Sequence, residues 1–269
     1  MKWRVFFTLC ICLYFDTCLT THVLAKPKLL HYKITNQYSF FNDSFTQGLY
    51  LDNDVLYISS GLYNKSFIQS TDFPSMKTIQ KTHISNKLFA EGLTVIGQKF
   101  YLCTWKSKTC YVYDKDSFKL LDYFSIKSEG WGLTHNNDFL ILSDGSDQLY
   151  FIDPKTYTVS KTLKVTYNNA PIKFINELEY VNGYIYANIW GSGRIIVIHA
   201  NSGKVEYELD ANTLITQEKA NLSKGHVLNG IAFDSVNKRF LITGKFWDTL
   251  YELELDHIPS ILIASKKSL

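Results

Sequence analysis

Charge is scarce in this 269-residue chain: only 20% of residues are charged, and the formal net charge is +3. Lys and Arg are scattered rather than clustered, so nucleic acid is not an expected partner. After residue 25 no stretch reaches the 18 or more continuous apolar residues of a membrane helix, so the mature chain is expected to be free of the membrane. The histidines (His22, His31, His83, His135, His199, His226 and His257) fall in no His-x-Glu-x-x-His or similar ligand spacing, which leaves no metal to assign. Asp144-Gly-Ser-Asp147 lacks the further ligands of a calcium loop and reads as a polar turn. There is no Gly-x-Ser-x-Gly elbow to hold a serine nucleophile. Gly/Ser linkers, heptads and low-complexity runs are missing too, so no internal domain boundary is indicated.

Cysteine is also sparse, and export changes its count. Residues 1–25 read as a signal peptide, with Lys2 and Arg4 before the apolar stretch Val5 to Phe15 and Val23-Leu24-Ala25 ahead of a cleavage point. The mature domain is expected to span 26–269, in a secreted or periplasmic setting. Cys10, Cys12 and Cys18 would leave with the leader. Cys103 and Cys110 remain, seven residues apart across a polar stretch. A hairpin could bring them together, so they are either a disulfide pair in an oxidising compartment or two free thiols.

Hydrophobic residues make up 46% of the chain, and 18 Tyr and 18 Phe favour strands over helices. The organising signal is an internal repeat. Five motifs share a form: Phe45-Thr-Gln-Gly-Leu49, Phe89-Ala-Glu-Gly-Leu-Thr94, Glu129-Gly-Trp-Gly-Leu-Thr134, Ile175-Asn-Glu-Leu-Glu-Tyr180 and Leu228-Asn-Gly-Ile-Ala-Phe233. Aligned on Gln47, Glu91, Trp131, Glu177 and Asn229, they recur at steps of 44, 40, 46 and 52 residues, the length of a propeller blade. A turn and a second strand follow each motif, as in Val55–Ile58, Lys99–Leu102 and Tyr184–Ala187. The turns carry Asn53-Asp54, Gly97, Asn136-Asn137-Asp138, Asn182-Gly183 and Asn237, types that accept positive φ. Third strands (such as Thr109–Tyr113) and fourth strands (Ser117–Leu121, Lys204–Glu208) follow. The expected fold is therefore all-β, a five-bladed β-propeller with four-stranded antiparallel blades. Leu29 to Tyr38 is expected to supply the outer strand that closes the ring. Asn212 to Lys224, the longest insert, reads as a short helix or a lid.

In a propeller the first strand of each blade lines the axis, so the motif residues converge. The glycines suit crowding there. Their neighbours Gln47, Glu91, Trp131, Asn176 or Glu177, and Asn229 are polar or bulky, and point to a site. Trp105, Trp190, Lys245 and Trp247 fall at the ends of second strands. Glu91 to Trp105 and Asn176 to Trp190 are both 14 residues, a hairpin length that sets its two ends side by side. A carboxyl ringed by Phe89, Trp105 and Trp131 would be partly desolvated, which raises its pKa and suits a proton shuttle.

Together with Ala187-Asn-x-Trp190 and Thr243-Gly-Lys-x-Trp247, these motifs resemble the plant-type glutaminyl cyclases, over about residues 30 to 255. The resemblance implies a five-bladed propeller that converts N-terminal glutamine of peptides or proteins to pyroglutamate and releases ammonia, without metal or other cofactor. It places pocket aromatics at Phe45, Phe89, Trp105, Trp131 and Trp190, and polar residues at Gln47, Glu91, Asn176 and Lys245, with Glu91 as the acid–base residue. Its partners would be Gln-initiated peptides, with the enzyme acting as a monomer. Cys103 and Cys110 are not part of the pattern, and Ala90 stands where Gly is common. Fold alone proves no activity, so a non-catalytic secreted binding propeller is the competing reading.

Overall fold

A computed structural model describes residues 26–136 and 138–261; the leader expected at 1–25 lies outside the described residues. The repeats fold as five blades. The first comprises Thr46–Asp52, Val55–Ser60, Phe67–Asp72 and Lys77–His83. The second comprises Ala90–Ile96, Lys99–Thr104, Thr109–Asp114 and Leu120–Ser125. The third holds Leu133–His135, Leu140–Ser143, Gln148–Ile152 and Val159–Lys164, and the fourth Ile175–Val181, Tyr184–Ile189, Arg194–His199 and Val205–Asp210. Leu228–Asp234, Arg239–Gly244 and Thr249–Leu255 form the fifth, completed by Tyr32–Ser39 from the N-terminal side. That strand pairs antiparallel with Thr249–Leu255 and closes the ring. The closing strand starts later than the sequence predicts, because Lys28–Leu30 instead adds a parallel fifth strand to the fourth blade.

Alternation within each strand explains the packing. In Lys99–Thr104, Phe100 and Leu102 face the first blade while Tyr101 and Cys103 face the third. Both faces are buried, so the period of two divides one strand between two interfaces. Five apolar clusters result, one between each pair of neighbouring blades. Cys103 and Cys110 are directly paired across adjacent strands and joined as a disulfide.

Tight turns fall where the composition placed them: Asn53, Gly97, Asn182 and Gly183 have positive φ. In the last blade Lys238, not Asn237, takes that conformation. Asn237 is held instead by Asp234, whose Oδ1 accepts its backbone N–H. The fourth strand of the second blade starts at Leu120 rather than Ser117, because Lys115–Ser117 is a turn in which Asp114 Oδ1 accepts the Ser117 N–H and hydroxyl. The insert holds a helix, Asn212–Gln217, that buries Leu214 against the fourth and fifth blades, and a single 3-10 turn at Leu222–Lys224. Glu218 accepts the Tyr251 hydroxyl at 2.7 Å and the Asp248 N–H at 3.0 Å, which pins the insert to the fifth blade.

Candidate active site

A one-residue register shift interrupts the inner strand of four blades at the motif. It falls after Thr46, Ala90, Ile175 and Leu228, so Gln47, Glu91, Asn176 and Asn229 follow immediately. Such bulges re-aim a side chain out of the regular alternation. Here they turn polar groups toward one end of the axis. The next residue is glycine in most blades because the neighbouring backbone presses on it. A Cβ on Gly92 would stand 2.3 Å from Leu133 N, and one on Gly132 would stand 2.0 Å from Asn176 O.

The same bond recurs beside each bulge. The carbonyls of Phe45, Phe89, Phe174 and Val227 accept the N–H of Gly61, Trp105, Trp190 and Lys245. The second strand therefore delivers its terminal side chain beside the bulge residue. The outcome is one cavity of about 440 Å³, lined by Phe45, Gln47, Leu62, Phe89, Glu91, Trp105, Trp131, Asn176, Trp190 and Lys245. All nine positions singled out from the sequence are among them. Edge-to-face contacts build the walls: Phe45 on Phe89 at 6.1 Å, Phe89 on Trp105 at 5.4 Å and Trp131 on Trp190 at 6.3 Å.

Polar groups occupy the closed end. Gln47, Glu91, Asn176 and Lys245 are all buried, whereas Trp190 at the mouth is 48% exposed. Burial pushes the Glu91 carboxyl well above the ordinary carboxylate range, the Lys245 ammonium draws it back, and Glu129 adds to the rise. Desolvation lowers Lys245 to about 8, against the pull of Glu91. Its Nζ lies 4.6 Å from the Phe45 ring centroid. Asn176 Nδ2 donates to Asn229 Oδ1 at 2.8 Å, and Asn229 Nδ2 donates to Thr46 O at 2.9 Å. Asn229 thus orients Asn176 from behind rather than lining the cavity. Gln47 Oε1 is buried without a hydrogen-bond partner among the described residues.

Two expected neighbours lie elsewhere. Trp247 is buried between the fourth and fifth blades, folded over Gly244, with Nε1 donating to His226 O. The chain turns at Phe246, whose φ is +60°, and this reverses the indole away from the cavity. Glu177 occupies the position that other blades give to glycine. Its carboxylate enters the channel and accepts the N–H groups of Leu49 and Ile231. It ties the first blade to the fifth.

Sequence reasoning missed Leu62 and Phe174. Leu62 reaches the cavity through a backbone turn with φ +89°, which no motif marked. Phe174 is half exposed and leans on Trp190 at 6.1 Å. It stands two residues before Asn176, as Phe45 and Phe89 stand before Gln47 and Glu91. That spacing was available as a signal.

Comparison with known proteins bears on the family and the fold. The family model described as glutamine cyclotransferase matches residues 8–255. A glutaminyl-peptide cyclotransferase from Arabidopsis thaliana is 37% identical over 219 residues, covering 79% of this chain and 68% of that protein. The crystal structure of Myxococcus xanthus glutaminyl cyclase superposes with a TM-score of 0.80 at 30% identity, over 87% of this chain and all of that one.

Proposed function

Because the chain belongs to the glutamine cyclotransferase family, we propose that its aromatic cavity is where an N-terminal glutamine is closed to pyroglutamate, with Glu91 moving the proton. The chain's activity is that of a glutaminyl-peptide cyclotransferase. Its substrates are peptides with N-terminal glutamine, and ammonia is the leaving group. The observation that carries the site assignment is the burial of Glu91, Lys245, Asn176 and Gln47 at the closed end of one indole-walled cavity.

The chemistry needs few parts. The substrate α-amine attacks its own γ-amide carbon, so it must be neutral; its reference pKa is about 7.7–8.0. As the C–N bond forms, the amine loses a proton to Glu91. The amide nitrogen then takes a proton from Glu91 and leaves as ammonia. A carboxyl group whose pKa is raised by burial accepts and returns a proton near neutrality better than an ordinary one. Negative charge gathers on the amide oxygen in the tetrahedral state. Lys245 Nζ and the second N–H of Asn176 Nδ2 are the donors for it. Gln47 Oε1 offers an acceptor to a substrate N–H. Since nucleophile and electrophile belong to one residue, the walls contribute by holding the side chain curled for attack.

Export through the leader expected at 1–25 is part of this reading. The Cys103–Cys110 disulfide supports it, because such bonds persist in oxidising compartments.

Ammonia release from a Gln-initiated peptide tests the assignment. Glu91→Gln is expected to lower kcat by about 10²–10⁴-fold. A variant that folds and turns over at the wild-type rate would overturn the role given to Glu91.

A further inference from the structure

Two walls of the cavity are held by a residue that does not line it. Glu129 is half-buried, two positions before Trp131. Its Oε2 accepts the Nε1–H of Trp105 at 2.7 Å and the Nε1–H of Trp131 at 3.1 Å. The two indoles come from different blades: Trp105 follows the second strand of the second blade, and Trp131 precedes the inner strand of the third. An indole has one polar handle on a large apolar body. Directing both handles at a single oxygen fixes the rotation of both rings and leaves their carbon faces toward the cavity. The loop carrying Glu129 is itself pinned, because Gly130 N–H donates to Thr104 O at 3.1 Å. On Trp105 the Lys106 ammonium sits 4.3 Å from the ring centroid, which further fixes that indole.

We propose that Glu129 is a positioning residue for the cyclisation: one carboxylate oxygen locks two cage indoles across the interface between the second and third blades and thereby sets the width of the glutamine pocket. The inference rests on the cavity being the cyclisation site. It has an electrostatic consequence as well. The charged groups acting on Glu91 are Lys245 from the fifth blade, which lowers its proton affinity, and Glu129, which raises it. Removing the Glu129 charge should therefore shift the Glu91-dependent limb of the pH profile toward lower pH.

Steady-state kinetics on a Gln-initiated peptide across pH, with near-UV circular dichroism, test this on E129A and E129Q. E129A is expected to lower kcat/KM by about 10- to 100-fold, chiefly through KM, and to change the indole dichroism. E129Q keeps an acceptor and loses the charge. It should restore most of KM while the limb stays displaced to lower pH. Unchanged KM and unchanged dichroism in E129A would overturn the proposal. Should E129A fail to fold, the interaction is read from the combined Trp105→Phe and Trp131→Phe variant, which keeps both rings and removes the N–H groups that Glu129 accepts. KM should rise there as expected for E129A; an unchanged KM in that variant would overturn the proposal. E91Q is the control for the underlying reading. An inactive E91Q beside a silent E129A rejects Glu129 alone, and a fully active E91Q rejects the site and this inference with it.

Discussion

Asn176 and Lys245 reach the closed end of the cavity by different routes, and their variants should fail differently. Asn176 is presented by a bulge and aligned by Asn229. Asn176→Ala removes one donor to the developing oxyanion and leaves Asn229 Oδ1 without its partner. A fall in kcat of about 10²–10³-fold is expected, measured under substrate saturation. Lys245 comes from the end of the fifth blade's second strand, and its ammonium is displaced downward to about 8. The charged form, the one that donates to an oxyanion, is therefore lost as pH rises through about 8. The kcat profile should decline above that pH, and the decline should vanish in Lys245→Met at a much lower rate throughout. A Lys245→Met enzyme that keeps the wild-type alkaline limb would separate that limb from Lys245.

Whereas Gly230 in the fifth blade has φ +127°, Gly48, Gly92 and Gly132 are constrained by neighbouring backbone rather than by conformation. Gly132 illustrates this. The 2.0 Å approach of a Cβ to Asn176 O involves main chain, which has no rotamer to give. Gly132→Ala should leave little soluble, folded protein. Gly97 is the opposite case: φ is +58° and a Cβ would meet open space. Gly97→Ala should cost only the strain of a left-handed alanine, about 1–2 kcal/mol. That corresponds to a fall in Tm of several degrees by calorimetry. If the two variants lose similar stability, close packing of the inner strands is not what selects Gly132.

Across the whole ring, the channel stores carboxylates. Burial and the nearby Glu179 push Glu177 well up. Burial raises Glu179 to about 8, although Phe233 N–H and the Thr134 hydroxyl bind its oxygens and oppose the rise. A carboxyl raised in the folded state favours folding at low pH, and this contribution fades as pH climbs from its unfolded value toward 8. His135, near the opposite mouth beside Tyr50 and Glu179, is lowered by burial to about 4. Its contribution has the other sign: it is present above about 6.5 and lost as pH falls toward 4. Between about pH 4 and 6.5 the two contributions oppose each other, so Tm should drop between about pH 6.5 and 8 in the wild type, where only the carboxyl contribution changes. Glu179→Gln should flatten that slope, and an unaltered slope would remove Glu179 from the account.

Much of this molecule was determined by local sequence. Five motifs at blade spacing, alternating apolar residues and turn-forming Asn and Gly specify strands and hairpins, because each is a short-range preference. Gln47, Glu91, Trp105, Trp131, Asn176, Trp190 and Lys245 were legible for the same reason, since a repeated register delivers equivalent positions to equivalent places, whereas the place of Phe45 in the cavity followed only from the resemblance to the cyclases. Tertiary structure decided what departs from that repeat. Trp247 lies two positions beyond Lys245, yet a positive φ at Phe246 sends it into the core. Glu177 replaces a glycine and becomes a strut between blades, which shows only when Leu49 and Ile231 are brought to it from 128 and 54 residues away. Lys28–Leu30 joins the fourth blade and Tyr32–Ser39 the fifth, a division that depends on which edges the closed ring leaves open. The bond from two indoles to Glu129 belongs to this second class too: it spans two blades, and only their packing brings the three side chains together.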